Sequence, residues 1–287
     1  MTNQADRRST SRATISSATL AQRSAEAGLS IIDVRSLPAY NGWRLRGESR
    51  GGHVPGAVAF PAEWLATIDA TELERLLLDK GIARERTLVL VGDDVAQALP
   101  FASWLASLGY DDVVVLEGGF QAWVDAGPPV ESLAKYDKLV YPEWVRQLIE
   151  GESPATYGGA GFVVLHVNFG VPEEYTEGHL PGAVYLDTNW LEDPVTWNRR
   201  SPAEIEATLL RLGIAPDTTV VVYGRDTVGD ANEKWPGRRA GQIAATRAAL
   251  ILRYAGVTDV RLLDGGYDRW IEAGLAIDTI DNQPAPP

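Results

Sequence analysis

No cysteine occurs anywhere in this chain of 287 residues, and there are only three histidines and one methionine. The first absence removes disulfides, thiolate nucleophiles and cysteine-based metal sites together, because each needs a cysteine sulfur. Positive charge is scarce as well. Lys and Arg number 26 against 39 Asp and Glu, a formal net charge of -13. So acidic a chain has no general electrostatic hold on nucleic acid or anionic membrane, which leaves room only for a local basic pocket. Long apolar runs are missing too: TLVLVG and TTVVVYG have strand length and fall far short of the roughly 20 residues of a membrane helix. Residues 1–12 are polar, lack the apolar centre of a secretory signal, and read as a disordered tail on a soluble, cytoplasmic protein. No G-x-x-x-x-G-K-[ST] phosphate loop or H-E-x-x-H pair is present, so no cofactor and no metal are expected. The formal G-x-S-x-G match GESRG at 47–51 leads into GGHVPGA rather than from a strand into a helix, and reads as chance.

What is there is a duplication. IIDVRS (31–36) followed by GGHVPGAV (51–58) recurs as VLHVNF (164–169) followed by EGHLPGAV (177–184). KGIARERTLVLVGDD (80–94) recurs as LGIAPDTTVVVYGRD (212–226), and LGYDDVVVLEGGFQAWVDAG (108–127) as AGVTDVRLLDGGYDRWIEAG (255–274). Within each copy, short β-branched runs alternate with helix-like stretches such as PFASWLASLG and IAATRAALILRYAG, which predicts an α/β fold: a parallel sheet with helices on both faces, made twice. The expected boundaries are a first domain at 13–131, a linker at 132–139 after Pro128 and Pro129, and a second domain at 140–287.

These motifs, DVR, GHVPGA and GHLPGA, LEGGFQAW and LDGGYDRW, resemble the rhodanese superfamily, and specifically its tandem-domain thiosulfate and mercaptopyruvate sulfurtransferases, over nearly all of residues 13–278. The resemblance implies a scaffold role for the first copy. It also implies a cysteine directly after the fourth strand of the second copy, which takes up sulfane sulfur as a persulfide. Here Gly92 and Gly224 stand at the matching positions.

Offsets between the copies locate the divergence. Gly81 to Gly213 and Gly92 to Gly224 are both 132, whereas Gly109 to Gly256 and Trp123 to Trp270 are both 147. The difference, 147 minus 132, puts 15 extra residues in the second copy, essentially RDTVGDANEKWPGRR. In a parallel sheet, ligands bind beyond the carboxyl ends of the strands, where this segment begins. Arg225, Lys234, Arg238 and Arg239 are therefore candidates to hold an anion beside the Gly224 turn, with Trp235 as a pocket wall. A solvated surface elaboration is the alternative.

The DVR of copy one, Asp33-Val34-Arg35, becomes His166-Val167-Asn168 in copy two, a change of charge at both polar positions. His53 and His179 belong to the repeated GH-PGA turn, which leaves His166 as the histidine outside the scaffold; it is either a hydrogen-bonded strand-end residue or a general base. Asp226 and Asp187 are candidate acid–base partners, Asn168 a substrate-orienting group, and a metal held by His166, Asp187 and Asp226 a minor alternative. The leading expectation is an enzyme with cysteine-free, hydrolase- or lyase-like acid–base chemistry on a small anionic, possibly sulfur-containing substrate. The alternatives are a silent rhodanese-type binding module, or sulfur transfer from thiosulfate without a protein persulfide.

Overall fold

A computed structural model of the chain describes residues 13–170, 172–225 and 240–283. The chain divides into two compact units between Tyr136 and Asp137.

In the first unit five strands form one parallel sheet: β1 (Thr14–Ile15), β2 (Leu29–Asp33), β3 (Val58–Ala59), β4 (Thr87–Val91) and β5 (Val113–Leu116), in the order β1-β5-β4-β2-β3. The central strands are continuous apolar runs because both faces are covered. Leu88, Leu90 and Val115 face the helices Ala70–Asp79 and Val95–Ser107 through a core that includes Leu73, Leu77, Phe101 and Leu105. Val89, Val91 and Leu116 face the other side, against Leu20 and Trp123 of the helices Ser17–Arg23 and Gly119–Ala126. Three of these four helices start where a side chain replaces a missing backbone acceptor. Ser16, Asp69 and Asp94 each accept from an N–H one turn in.

The second unit repeats the plan with β6 (Leu139–Val140), β7 (Phe162–Asn168), β8 (Val184–Asp187), β9 (Thr219–Tyr223) and β10 (Asp259–Leu263), in the order β6-β10-β9-β7-β8. Helices Pro202–Arg211 and Ala240–Tyr254 cover one face. Pro142–Ile149 and Gly266–Glu272 bring the buried Trp144 and Trp270 to the unit's core. Even the tryptophan anchors recur: Trp123 Nε1 donates to the Pro129 carbonyl at 2.9 Å and Trp270 Nε1 to that of Ala276 at 2.8 Å. The α/β expectation is met in both copies, and the apolar runs TLVLV and TVVVY form the strands β4 and β9. Pairs as short as Thr14–Ile15 and Leu139–Val140 carry no periodicity by which a sequence could announce them.

One glycine pair has a positional purpose. Gly265 and Gly266 have φ of 69° and 54°, and a Cβ on Gly266 would lie 2.3 Å from the Gly224 carbonyl oxygen. The GG turn thus seats its helix directly against the strand end where the copies diverge. Among the described residues no helix is long and apolar enough to cross a membrane.

Candidate functional site

In the first unit the carboxyl end of the sheet is closed by a self-sufficient ion pair. Arg35 Nη2 lies 2.6 Å from Asp33 Oδ2, its Nε is 3.0 Å from Oδ1, and Nη2 also donates to the Gly52 carbonyl at 2.6 Å. Both side chains are buried, and the guanidinium carbon rests 3.7 Å from the centre of the Phe120 ring. With Nε and Nη2 both paired to acceptors and the guanidinium face on Phe120, burial is tolerated.

The second unit rebuilds this place. By strand register, His166 stands where Asp33 stood, Tyr185 where Ala59 stood and Tyr223 where Val91 stood. Tyr267, whose N–H bonds to the Gly224 carbonyl as that of Phe120 does to Gly92, replaces Phe120. An ion pair among apolar neighbours has become an imidazole among phenols. His166 is fully buried, with ring centres of Tyr223 at 4.9 Å, Tyr175 at 5.7 Å and Tyr267 at 6.4 Å. The Leu180 N–H donates to the Tyr223 oxygen at 3.0 Å, and that oxygen is 3.2 Å from His166 Nδ1. With its oxygen accepting from Leu180, the Tyr223 hydroxyl can donate to Nδ1, the arrangement in which the imidazole hydrogen sits on Nε2. Among the described residues, His166 Nε2, the Tyr185 hydroxyl and Glu174 Oε2 are sealed from solvent without a hydrogen-bond partner. Three such atoms around Tyr175 mark a neighbourhood with unmet polar demand.

Burial governs the ionisation here. It lowers the His166 pKa to about 3, with His179 and the Arg225 cation adding to the effect, so the ring is neutral throughout the physiological range. Burial raises the Glu174 carboxyl in spite of Arg225, and raises the Tyr185 and Tyr223 phenols.

Of the residues picked from sequence, Arg225 leaves the end of β9 with Nη1 3.0 Å from Glu177 Oε2 and 3.4 Å from the Glu174 carbonyl. Asn168 and Asp187 are register neighbours at the ends of β7 and β8. Asp187 Oδ1 accepts from the N–H groups of Gly170 and Asn189 at 3.0 and 2.9 Å, and Asn168 Oδ1 accepts from the Phe169 N–H at 2.8 Å. The carboxyl edge therefore gathers His166, Arg225, Gly224, Asn168 and Asp187, but His166 lies beneath it rather than at its surface. Asp226, Lys234, Trp235, Arg238 and Arg239 fall outside the described residues. Sequence reasoning did not pick out Tyr175, Tyr185, Tyr267 and Glu174. Copy-to-copy comparison carried the signal for two of them, since Ala59 and Phe120 become tyrosines. Among the described residues no three His, Cys, Asp or Glu side chains form a metal-ligand group.

Gly224 has no room for a side chain. A Cβ there would lie 2.0 Å from the Gly241 carbonyl oxygen, and one on Gly92 would lie 2.6 Å from that of Asp94.

The rhodanese-like domain pattern matches residues 16–126 and again 142–273. The chain belongs to the rhodanese-like family. It is 31% identical over 247 residues to the thiosulfate sulfurtransferase YnjE of Escherichia coli, covering 86% of this chain and 52% of that protein. The sulfur carrier protein TtuD of Thermus thermophilus is 38% identical over 144 residues, 49% of this chain and 42% of that protein. Among solved structures, EanB superposes with a TM-score of 0.90 at 41% identity, over 96% of this chain and 63% of that one. The anaerobic ergothioneine biosynthesis enzyme of Chlorobium limicola, in complex with its natural substrate trimethyl histidine, gives 0.90 and 40%, over 96% and 64%. An EanB variant has been captured with ergothioneine covalently linked to a persulfide cysteine. This rhodanese-like chain thus spans about half the length of YnjE and less than two thirds of the EanB chain.

Proposed function

We propose that this rhodanese-like chain is a scaffold for sulfur transfer to a small molecule, with the sulfur-carrying thiol supplied from outside its two units. The observation that carries the reading is the contact at Gly224. At the strand end where the family resemblance places the persulfide cysteine, the backbone of Gly241 occupies the space of a Cβ. The chain has no cysteine to substitute elsewhere. The likeness to YnjE and EanB supports sulfur transfer as the process, and the hercynine and ergothioneine bound by EanB variants suggest an imidazole-bearing betaine as the substrate class. The carboxylate of such a molecule is the anionic group expected from the position of Arg225. Titration calorimetry of the chain with hercynine, paired with a thiosulfate-to-cyanide assay, tests this. Saturable hercynine binding without thiocyanate production is the expected result. Thiocyanate formation by the chain alone removes the external thiol from the account, and absence of hercynine binding removes the substrate class.

A second reading is acid–base chemistry using His166 with Asp187 or Asp226. The unpartnered Nε2 of His166 favours it, since a buried N–H has a use for a bound acceptor. Complete burial and a pKa near 3 weigh against it, because an imidazole that resists protonation is a weak general base. Turnover of a thioether or thioamide by the chain alone, lost in His166→Gln, would favour this reading over the first.

A further inference from the structure

Each unit has a cavity at the amino end of its sheet, opposite the edge discussed above, and the two cavities occupy equivalent places. In the first unit it measures about 140 Å³ and is bounded by the starts of β2 and β3 and by the Lys80-Gly81 turn. In the second it measures about 400 Å³ and is bounded by the starts of β7 and β8 and by the Leu212-Gly213 turn. The glycine before each central strand confirms the match: the Gly28 carbonyl accepts from the Thr87 N–H at 2.9 Å, and the Gly161 carbonyl from that of Thr219 at 3.0 Å. The fold makes the hole. What differs is its chemistry.

Ser30, Lys80 and Arg86 line the first cavity where Val163, Leu212 and Thr218 line the second. Ser24 adds a further hydroxyl, and no carboxylate lines the first cavity, whereas Asp217 lines the second. Arg86 Nη1 is 3.2 Å from Ser30 Oγ, so a guanidinium and a hydroxyl already face one volume. The Lys80 ammonium, on its flexible stem, is 5.6 Å from the centre of the Trp64 ring. The Gly56 N–H on the rim donates to Glu131 Oε2 at 3.2 Å, which puts a negative charge on that side of the cavity. In a chain of net charge -13, Lys80 and Arg86 among the lining residues, against the single carboxylate of Glu131 at the Gly56 rim, are a local reversal of sign.

We propose that the first unit binds a small tetrahedral oxyanion in this cavity, of the sulfate, thiosulfate or phosphate class, with Arg86 and Lys80 supplying charge and Ser30 supplying a hydroxyl donor. Guanidinium and hydroxyl donors match the oxygens of such an ion, and the volume admits one of them. The site is independent of where the sulfur-carrying thiol lies.

The second unit provides the control substitutions. Ser30→Val, Lys80→Leu and Arg86→Thr install what the same fold carries at the equivalent positions. Calorimetry at low ionic strength with sodium sulfate, thiosulfate and phosphate, against sodium chloride, is expected to show saturable binding that the triple variant weakens by at least about tenfold. Amide shifts of Ser30 and Gly81 on titration locate the ion in the full chain. Comparing the three anions tells sulfur oxyanions from phosphate. No saturable binding to the wild type, binding that the folded triple variant retains, or shifts confined to residues away from this cavity would each overturn the proposal. If the triple variant melts early, Arg86→Gln alone with the amide titration gives the same decision.

Discussion

The guanidinium of Arg225 lies 4.9 Å from the centre of the Tyr267 ring, the place that Arg35 fills over Phe120 at 3.7 Å in the first unit. A cation over the aromatic residue of the GG turn is kept in both copies, but it comes from a different strand. In the first unit it rises from the end of β2 and pairs with Asp33; in the second it rises from the end of β9 and pairs with Glu177. Exchanging Asp33 and Arg35 for His166 and Asn168 is thereby compensated one strand away.

The two cations differ in what their removal leaves behind. Arg35→Ala strands the Asp33 carboxylate in a buried site and should cost about 3–5 kcal/mol. Arg225→Ala opens a pair whose Glu177 partner is largely exposed, with an expected cost of about 0–1 kcal/mol. Urea unfolding of the two variants should show this order, and equal costs would contradict it.

Restoring the family's cysteine should not restore its chemistry. Gly224→Cys places a Cβ against the Gly241 backbone, so a cost of about 1–3 kcal/mol, or failure to fold, is expected, without gain of thiosulfate:cyanide activity. A folded, undestabilised and active variant would show that the loop yields.

His166 should remain neutral to low pH. Its pKa is lowered from 6.5 to about 3, so below pH 6.5 the unfolded chain takes up a proton that the folded one refuses. Stability is therefore lost as pH falls from about 6.5 toward 3, with a limiting slope of about 1.4 kcal/mol per pH unit from this residue. His166→Gln should unfold with a shallower pH dependence in that window. Asp259, held at about 2 by Arg261, Lys138 and Thr219 against the desolvation of burial, loses its contribution separately as pH falls from 3.8 to about 2. Imidazole nitrogen shifts of His166 that titrate near neutrality would refute the assignment.

The C-terminal strap should matter to the second unit. Asn282 donates from its backbone N–H to the Tyr175 hydroxyl at 3.0 Å and from Nδ2 to the Ala183 carbonyl at 3.1 Å, and the Asp278 and His179 backbones bridge. Asn282→Ala removes two side-chain bonds, to the Ala183 carbonyl and to His179 Nε2, at a cost of about 1–3 kcal/mol. Calorimetric melting should show the loss in the transition of the second unit.

The sequence made the duplication, the α/β class and central strands such as TLVLV and TVVVY legible because apolar runs bounded by glycine repeat in order. It also pointed to the segment after Arg225 by arithmetic alone. It did not reveal that His166 is enclosed. A residue at the end of a strand can point to solvent or into a phenol cluster, and periodicity fixes its face but not its neighbours. Tyr185 and Tyr223 read as ordinary β-formers within VYLD and TVVVY; only register put their side chains beside the imidazole.

The crossing of Gly224 and Gly241 also bears on descent. A thiol at this strand end would need only one residue to change, glycine to cysteine. In this fold that mutation meets a backbone oxygen 2.0 Å from its first carbon, and the path back requires the helix start at Gly241 to move first. Any side chain at Gly224, thiol-bearing or not, meets that same obstacle.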